Sequence, residues 1–296
     1  MPKLNWHEPD FNFCKNSFLG NDTAPANIYL LRNKYNIEVA QLDGVYFRRY
    51  NGKNINRFGY AFPLSENNFD LKNALDILKD DAKERGEILK FCLCDEKQQK
   101  AIDNFLAVEW ESFVGDSDYI YSRETLSRLS GRKLHKRKNL FNRFMRIYPE
   151  AEFLPLTEKN LPDALQIAQQ WFTEHDDGDI TMQQELSCIK ESATYWKELE
   201  MHGGIIYVDG EPAAMSMYSI LSEQAIDVHF EKAIDKYAVD GAFAAINKFI
   251  AASDEVAEFT YINREEDMGI PGLQKVKEEY QPDFKLKKFY GVVTGK

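Results

Sequence analysis

The chain has 296 residues, 44% of them hydrophobic and 13% aromatic, with 37 Lys and Arg against 48 Asp and Glu for a net charge of −11. That length suits two modest domains, and the composition is that of a globular protein rather than a disordered or fibrous one. No uncharged apolar run approaches the ~20 residues that a membrane-spanning helix needs, and the start, Met1-Pro-Lys-Leu-Asn-Trp-His-Glu8, has no signal-peptide hydrophobic stretch. A cytoplasmic protein with no transmembrane segment is expected. Cys14, Cys92, Cys94 and Cys188 are expected to be reduced thiols. No CxxC or HxxxH spacing suggests a metal, so none is expected.

In chain order, strands are expected at Ile37–Leu42, Val45–Tyr50 and Ile55–Pro63. Leu71, Leu75, Leu78 and Ala82 keep helical spacing, which predicts a helix over Asp70–Arg85, capped by Asp70 and stopped by Gly86. A strand (Ile88–Cys94), a short helix (Glu96–Asn104) and a strand (Ala107–Val114) follow. Alternation in the first of these puts Cys92 and Cys94 on one face, where they are poorly placed to bridge. A helix is expected over Lys133–Tyr148. Asn160-Leu-Pro-Asp163 then opens another with a cap and an early proline, and a second runs over Gln183–Met201.

Three strands (Gly204–Val208, Pro212–Leu221, Gln224–Lys232) precede a helix (Asp240–Ala252), a strand (Val256–Asn263), a helix (Pro271–Tyr280) and a strand (Phe284–Val293). The order of the first half thus recurs in the second as a repeat of topology, not of residues. The expected fold class is α+β, layered, with mixed and mostly antiparallel sheets flanked by helices. Two domains are expected, 1–148 and 149–296.

The most uneven charge lies in Arg123–Arg146. It holds nine of the 37 basic residues and one acid, Glu124, a net of +8 in an acidic chain. A concentrated positive patch suits a polyanionic guest: a phosphorylated cofactor, a tRNA end or a lipid head group. On a helix over Lys133–Tyr148, Lys133 and Arg137 fall inside the apolar arc. An inward-facing cation must be paired or solvated, so both are candidates for lining an anion pocket between the halves, with Lys136 and Lys138 beside them. The alternative is a solvated basic helix whose long side chains snorkel from its rim.

Two further segments carry ionisable groups. Tyr261-Ile-Asn-Arg-Glu-Glu-Asp-Met-Gly269 leads from a strand end into a helix, a usual place for a binding site. Asn263, Arg264, Glu265 and Asp267 offer groups of both signs there, and a carboxylate among them could take a proton from an attacking amine. The alternative is a capped turn with Asp267 as the cap and Arg264 in a salt bridge. In Asp227-Val-His-Phe-Glu-Lys232, alternation puts Asp227, His229 and Glu231 on one strand face, either as a polar site or as a solvent-facing side. His175-Asp-Asp-Gly-Asp179 lacks the ligand spacing of a calcium loop. No P-loop, GxSxG or dinucleotide fingerprint occurs.

Ser122-Arg-Glu-Thr-Leu-Ser-Arg-Leu-Ser-Gly-Arg-Lys-Leu-His-Lys-Arg-Lys-Asn-Leu-Phe-Asn-Arg-Phe144, then His229-Phe-Glu-Lys-Ala233 and Asn263-Arg-Glu-Glu-Asp-Met-Gly-Ile-Pro-Gly-Leu273, resemble a bacterial family similar to the C-terminal domain of phosphatidylglycerol lysyltransferase. The resemblance implies two tandem domains of the GCN5-related N-acetyltransferase type. It also implies transfer of an aminoacyl group from aminoacyl-tRNA to a lipid or, in related enzymes, to a cell-wall precursor. Acetyltransferases of this type bind the coenzyme A pyrophosphate on a Gly-rich turn after the third core strand. Here that turn, Ala233–Ala242, has one glycine and two acids, and its first-half counterpart, Leu64–Asp70, has no glycine and two acids. The signal for coenzyme A is therefore poor, and the first half is expected to have lost any cofactor site.

The resulting expectation is an acyl- or aminoacyl-transferase. A tRNA or other phosphorylated donor, aminoacyl-tRNA or acyl-coenzyme A, would lie on Lys133, Lys136, Arg137 and Lys138. Glu231, Glu265 and Asp267 would handle protons, and His229, Asn263 and Arg264 would contact substrate. The alternatives are a non-catalytic binding module for phosphate, nucleic acid or lipid head groups, and an acetyl-coenzyme A N-acetyltransferase.

Overall fold

The computed structural model describes residues 3–52, 57–176, 178 and 180–295. The chain forms two compact units, residues 1–118 with 286–296, and residues 119–285.

The first unit opens with two short helices absent from the sequence reading, α1 (Pro25–Leu30) and α2 (Arg32–Tyr35), the second ended by Asn36 in a left-handed conformation. Strands β1 (Ile37–Leu42), β2 (Val45–Asn51) and β3 (Phe58–Tyr60) form an antiparallel meander. The expected strand over Ile55–Pro63 is thus shorter, and its residues 55 and 56 lie outside the described residues. Helix α3 (Leu71–Glu84) starts where Asp70 accepts from the Asn73 amide at 3.1 Å. Its Ala74, Leu75, Leu78 and Ala82 are buried in one cluster with Phe47, Tyr60 and Phe91, as their spacing requires. Then come β4 (Lys90–Cys94), α4 (Glu96–Asp103), held by a capping box of Asp95 and Gln98, and β5 (Ala107–Ser112). Leu93 has φ +59°, so simple alternation fails in β4. Cys94 joins the α3 cluster while Cys92 joins another with Tyr50 and Tyr290. The two thiols do not share a face, and none of the four cysteines is in a disulfide.

The second unit runs β6 (Asp118–Ser122), α5 (Arg123–Arg128), α6 (His135–Ile147), β7 (Glu152–Pro155), α7 (Leu161–His175), α8 (Ile180–Thr194), β8 (Met201–Val208), β9 (Glu211–Ser222), β10 (Ala225–Ala233), α9 (Asp235–Ala238), α10 (Ala242–Ala252), β11 (Tyr261–Asn263), α11 (Pro271–Glu279) and β12 (Phe284–Leu286). Pro271 sits in the first turn of α11 as expected. Asn160 precedes α7, but its side chain turns back to accept from the Thr157 amide at 2.7 Å and does not cap the helix.

The last strand, β13 (Phe289–Gly295), returns to the first sheet, whose order is β1-β2-β3-β4-β13-β5. The second sheet runs β12-β6-β11-β10-β9-β8-β7. The single strand expected over Phe284–Val293 is therefore two strands in different sheets. The break falls beside Lys288, whose ammonium is buried against the carboxylates of Asp22 and Asp118, with Arg48 also on Asp22. Likewise the chain divides at 118/119 and not at 148/149. β6 pairs with β11 (Tyr121 opposite Ile262), and α6 packs on α10 through Phe141 and Phe249, so the basic helix belongs to the second unit.

Candidate functional site

Strand β10 runs antiparallel to β9 and parallel to β11. Asp227 lies opposite Ser219, and Glu231 lies opposite Ser216. Those partners are four residues apart on β10 but three apart on β9, so the ladder slips at His229, which is a bulge residue. Directly opposed residues share a face, and faces alternate along each strand. Asp227 and Glu231 therefore project to opposite faces, and the single polar row expected from alternation does not form.

On one face, the His229 ring is bounded by Ser219, whose Oγ lies 2.8 Å from Nε2, and by Glu265, whose Oε1 lies 3.2 Å from Nδ1. Asp227 Oδ2 is 3.7 Å from the same Nδ1. On the other face, Glu231 accepts from the guanidinium of Arg264. Arg264 is only 9% exposed and lies 4.7 Å from the centre of the Tyr280 ring. Burial works against its charge, but the Glu231 carboxylate more than offsets this and holds the guanidinium above its ordinary pKa. Arg137 of α6 flanks the same ring at 4.7 Å and pairs with Glu279. Burial raises the Glu279 carboxyl, but the Arg137 cation dominates and holds it below its ordinary pKa.

The paired stretch of β10 and β11 ends at Asp227 and Asn263. Beyond it, residues 264–268 form a loop with two left-handed non-glycine residues, Glu265 (φ +57°) and Met268 (φ +52°). Such backbone needs support. Lys277, buried in α11, donates to the carbonyls of Arg264, Glu265 (3.0 Å) and Glu266 (2.6 Å), matching three acceptors to its three protons. Asn263 Oδ1 accepts from the Glu265 amide at 2.7 Å. Asp267 accepts from the Tyr119 hydroxyl at 2.6 Å and the Gly269 amide at 2.8 Å. Asp267, Asn263 and His229 are thus enclosed and brace the loop, whereas Glu265 keeps a side chain 23% exposed.

Of the four basic candidates, Arg137 is buried and paired, while Lys133, Lys136 and Lys138 are exposed. Helix α6 begins at His135, and Lys133 sits in a preceding 3-10 turn, so it is not on the apolar arc. Lys136 is 79% exposed, with Glu279 at 3.6 Å. Lys136 and Lys138, two positions apart on α6, point away from each other, and Arg137 is a structural part of α6 packing.

At the turn before α10, Gly241 has φ +109°, and a Cβ there would meet the Leu140 carbonyl oxygen at 2.3 Å. Asp240 accepts from Arg143 at 2.6 Å and from Tyr148 at 2.9 Å. Helix α6 therefore fills this turn and sets a carboxylate in it. In the first unit, the counterpart segment borders a cleft of about 250 Å³ lined by Asp43, Asn67, Asp70 and Asn73. Asp70 caps α3 there and adds negative charge.

The family described as phosphatidylglycerol lysyltransferase, C-terminal, matches residues 18–291. The chain belongs to that family. It is a transferase family. A conserved protein of unknown function from Bacteroides thetaiotaomicron is 26% identical, with a TM-score of 0.89 over 98% of this chain and 100% of that one. L-PGS from Bacillus licheniformis is 13% identical, with a TM-score of 0.64 over 92% of this chain and 88% of that one. FemX is 8% identical, with a TM-score of 0.58 over 96% and 94%. These last two likenesses are of fold. No curated protein matches the chain. Among the described residues no helix is long and apolar enough to cross a membrane.

Several members of the site escaped the sequence reading: Ser219, Tyr119, Tyr280, Glu279 and Lys277. Only Lys277 had a usable signal. It shares the Leu273–Tyr280 face of α11 at helical spacing, a cation on an apolar stripe.

Proposed function

We propose that the chain moves an aminoacyl group from an aminoacyl-tRNA-like donor to an amine or hydroxyl acceptor, on two tandem domains of the GCN5-related N-acetyltransferase type. The observation that carries this reading is family membership over 18–291. The fold shared with L-PGS and FemX supports it. The donor's phosphates lie around the exposed lysines at the start of α6, Lys133 in the turn before it and Lys136 and Lys138 in its first turn. The acceptor attacks the donor carbonyl where β10 and β11 part. There the partly open Glu265 accepts the proton released on attack, while Glu231, paired with Arg264 on the opposite face, fixes the loop that carries it. The protein's larger contribution is alignment of the two substrates.

The acyl-coenzyme A alternative is less favoured, because Leu140 closes on the turn before α10 and the Arg143 cation there is already paired with Asp240. A non-catalytic binding module uses the same lysines but not Glu231 or Glu265.

The test is binding of aminoacyl-tRNA across a salt series. Each lysine–phosphate contact contributes about 0.7–0.9 to the slope of log K against log salt. Replacing Lys133, Lys136 and Lys138 together by Ala is expected to flatten the slope by about 2–3 and weaken binding at low salt. An unchanged slope contradicts the placement of the donor.

A further inference from the structure

Asp227 and His229 are neighbours on β10 and Glu265 lies 36 positions after His229, yet one ligand-type atom of each lies within 4.8 Å of the other two. The parallel pairing of β10 with β11 and the bulge at His229 bring them together. Asp227 is 0% exposed and the His229 side chain 1%.

The Ser219–His229–carboxylate line has the spacing of a nucleophile–base pair. Ser219 and the His229 ring are both buried, so an acyl carbonyl has no approach to the hydroxyl. A guest at this place must be small. The partly exposed Glu265 carboxylate borders solvent and leaves an entry for an ion.

We propose that Asp227, His229 and Glu265 bind one divalent first-row transition-metal ion, through one imidazole nitrogen and two carboxylates. Zinc ligands at about 2.0–2.2 Å from the ion stand about 3.3–3.5 Å apart in a tetrahedron. The observed Nδ1 separations of 3.2 Å and 3.7 Å bracket that edge. Ser219 supplies the outer contact. Its Oγ lies 2.8 Å from Nε2; in the tautomer that binds an ion, Nε2–H donates to it and Nδ1 turns its lone pair toward the ion. The imidazole favours zinc over calcium, magnesium or manganese, and the absence of thiolate from the donor set disfavours copper(I).

The test uses the full chain stripped with a chelator, then titrated calorimetrically with Zn²⁺ and with Mn²⁺, stoichiometry being checked by elemental analysis. One ion per chain is expected, with Zn²⁺ the tighter of the two. Asp227→Asn and His229→Gln are expected to abolish it, and Ser219→Ala to weaken it about 10–100-fold. Glu174, His175 and Asp235 form an exposed group of similar make-up, so His175→Gln is the control and is expected to leave the affinity unchanged. Where a variant fails to fold, Co²⁺ loaded into the unaltered chain supplies the readout. Visible absorption of a four- or five-coordinate ion, quenched by one equivalent of Zn²⁺, supports the site. No stoichiometric ion in the unaltered chain, or binding that survives His229→Gln in a folded variant, overturns it. The transfer reading uses Glu265 as a base in the metal-free chain; no donor or acceptor enters this measurement, so the two tests are read separately.

Discussion

At the scale of single residues, the second unit is organised by buried cations that each find a carboxylate or a set of carbonyls. Arg264 with Glu231, Arg137 with Glu279 and Lys277 with three loop carbonyls are all of this kind. Removing one partner of such a pair strands the other in a poorly solvated place, which costs about 3–5 kcal/mol. Glu231→Ala is therefore expected to destabilise the chain by about that amount in urea titration. Replacing Glu231 and Arg264 together by Met is expected to cost much less. If the single change costs under about 1 kcal/mol, the pair behaves as a surface salt bridge. Arg264, Glu265 and Asp267 were legible as a polar segment because they cluster in Asn263–Asp267, and Glu231 because it falls among the ionisable groups of Asp227–Lys232. Their division into a brace (Asp267), an ion pair (Glu231) and a partly open group (Glu265) was not, because tertiary partners decide it.

At the scale of elements, helices were readable wherever an apolar stripe ran four turns, as in α3, whose buried residues are those its periodicity selects. Strands were readable as strands but not as faces. The bulge at His229 and the left-handed Leu93 each shift the alternation by one, and no local composition marks either. Short elements such as β6 and α5 were missed because their pairing with β11 and packing on α10, not their own pattern, make them regular. The docking of α6 against the start of α10 depends on Gly241. Gly241→Ala adds a left-handed penalty of about 1–2 kcal/mol to a Cβ overlap with the Leu140 carbonyl. Gly86→Ala, at φ +71° with no atom within 4 Å of the added Cβ, is expected to show the backbone part alone. Thermal unfolding of the two variants checks this, and equal losses would mean that α6 can move aside.

At the scale of the whole molecule, the recurring element order was visible in the sequence, but the exchange of strands was not. Nothing in Phe284–Val293 indicates that its two halves serve different sheets. Only the buried Lys288, with Asp22, Asp118 and Arg48, shows where the chain is pinned. Because β13 lies between β4 and β5, a chain ending before Leu286 leaves a gap in the first sheet and Asp22 and Asp118 without their lysine. Deletion of 286–296 is expected to remove hydrogen-exchange protection from β4 and β5 first, with β8, β9 and β10 retaining theirs. Protection unchanged in β4 and β5 would mean that β13 is a dispensable filler.

The transfer reading joins the exposed lysines at the start of α6 to Glu265 at the β10–β11 divergence, and its most direct test is a transfer assay. Radiolabelled aminoacyl-tRNAs are offered one at a time with amine acceptors and with vesicles containing phosphatidylglycerol, and label is followed into the acceptor. The account predicts transfer from at least one aminoacyl-tRNA. It further predicts a drop of about tenfold or more when Glu265 is changed to Gln, in line with loss of general-base assistance, with tRNA binding retained. Label that stays on every tRNA, or transfer indifferent to Glu265→Gln, would contradict it.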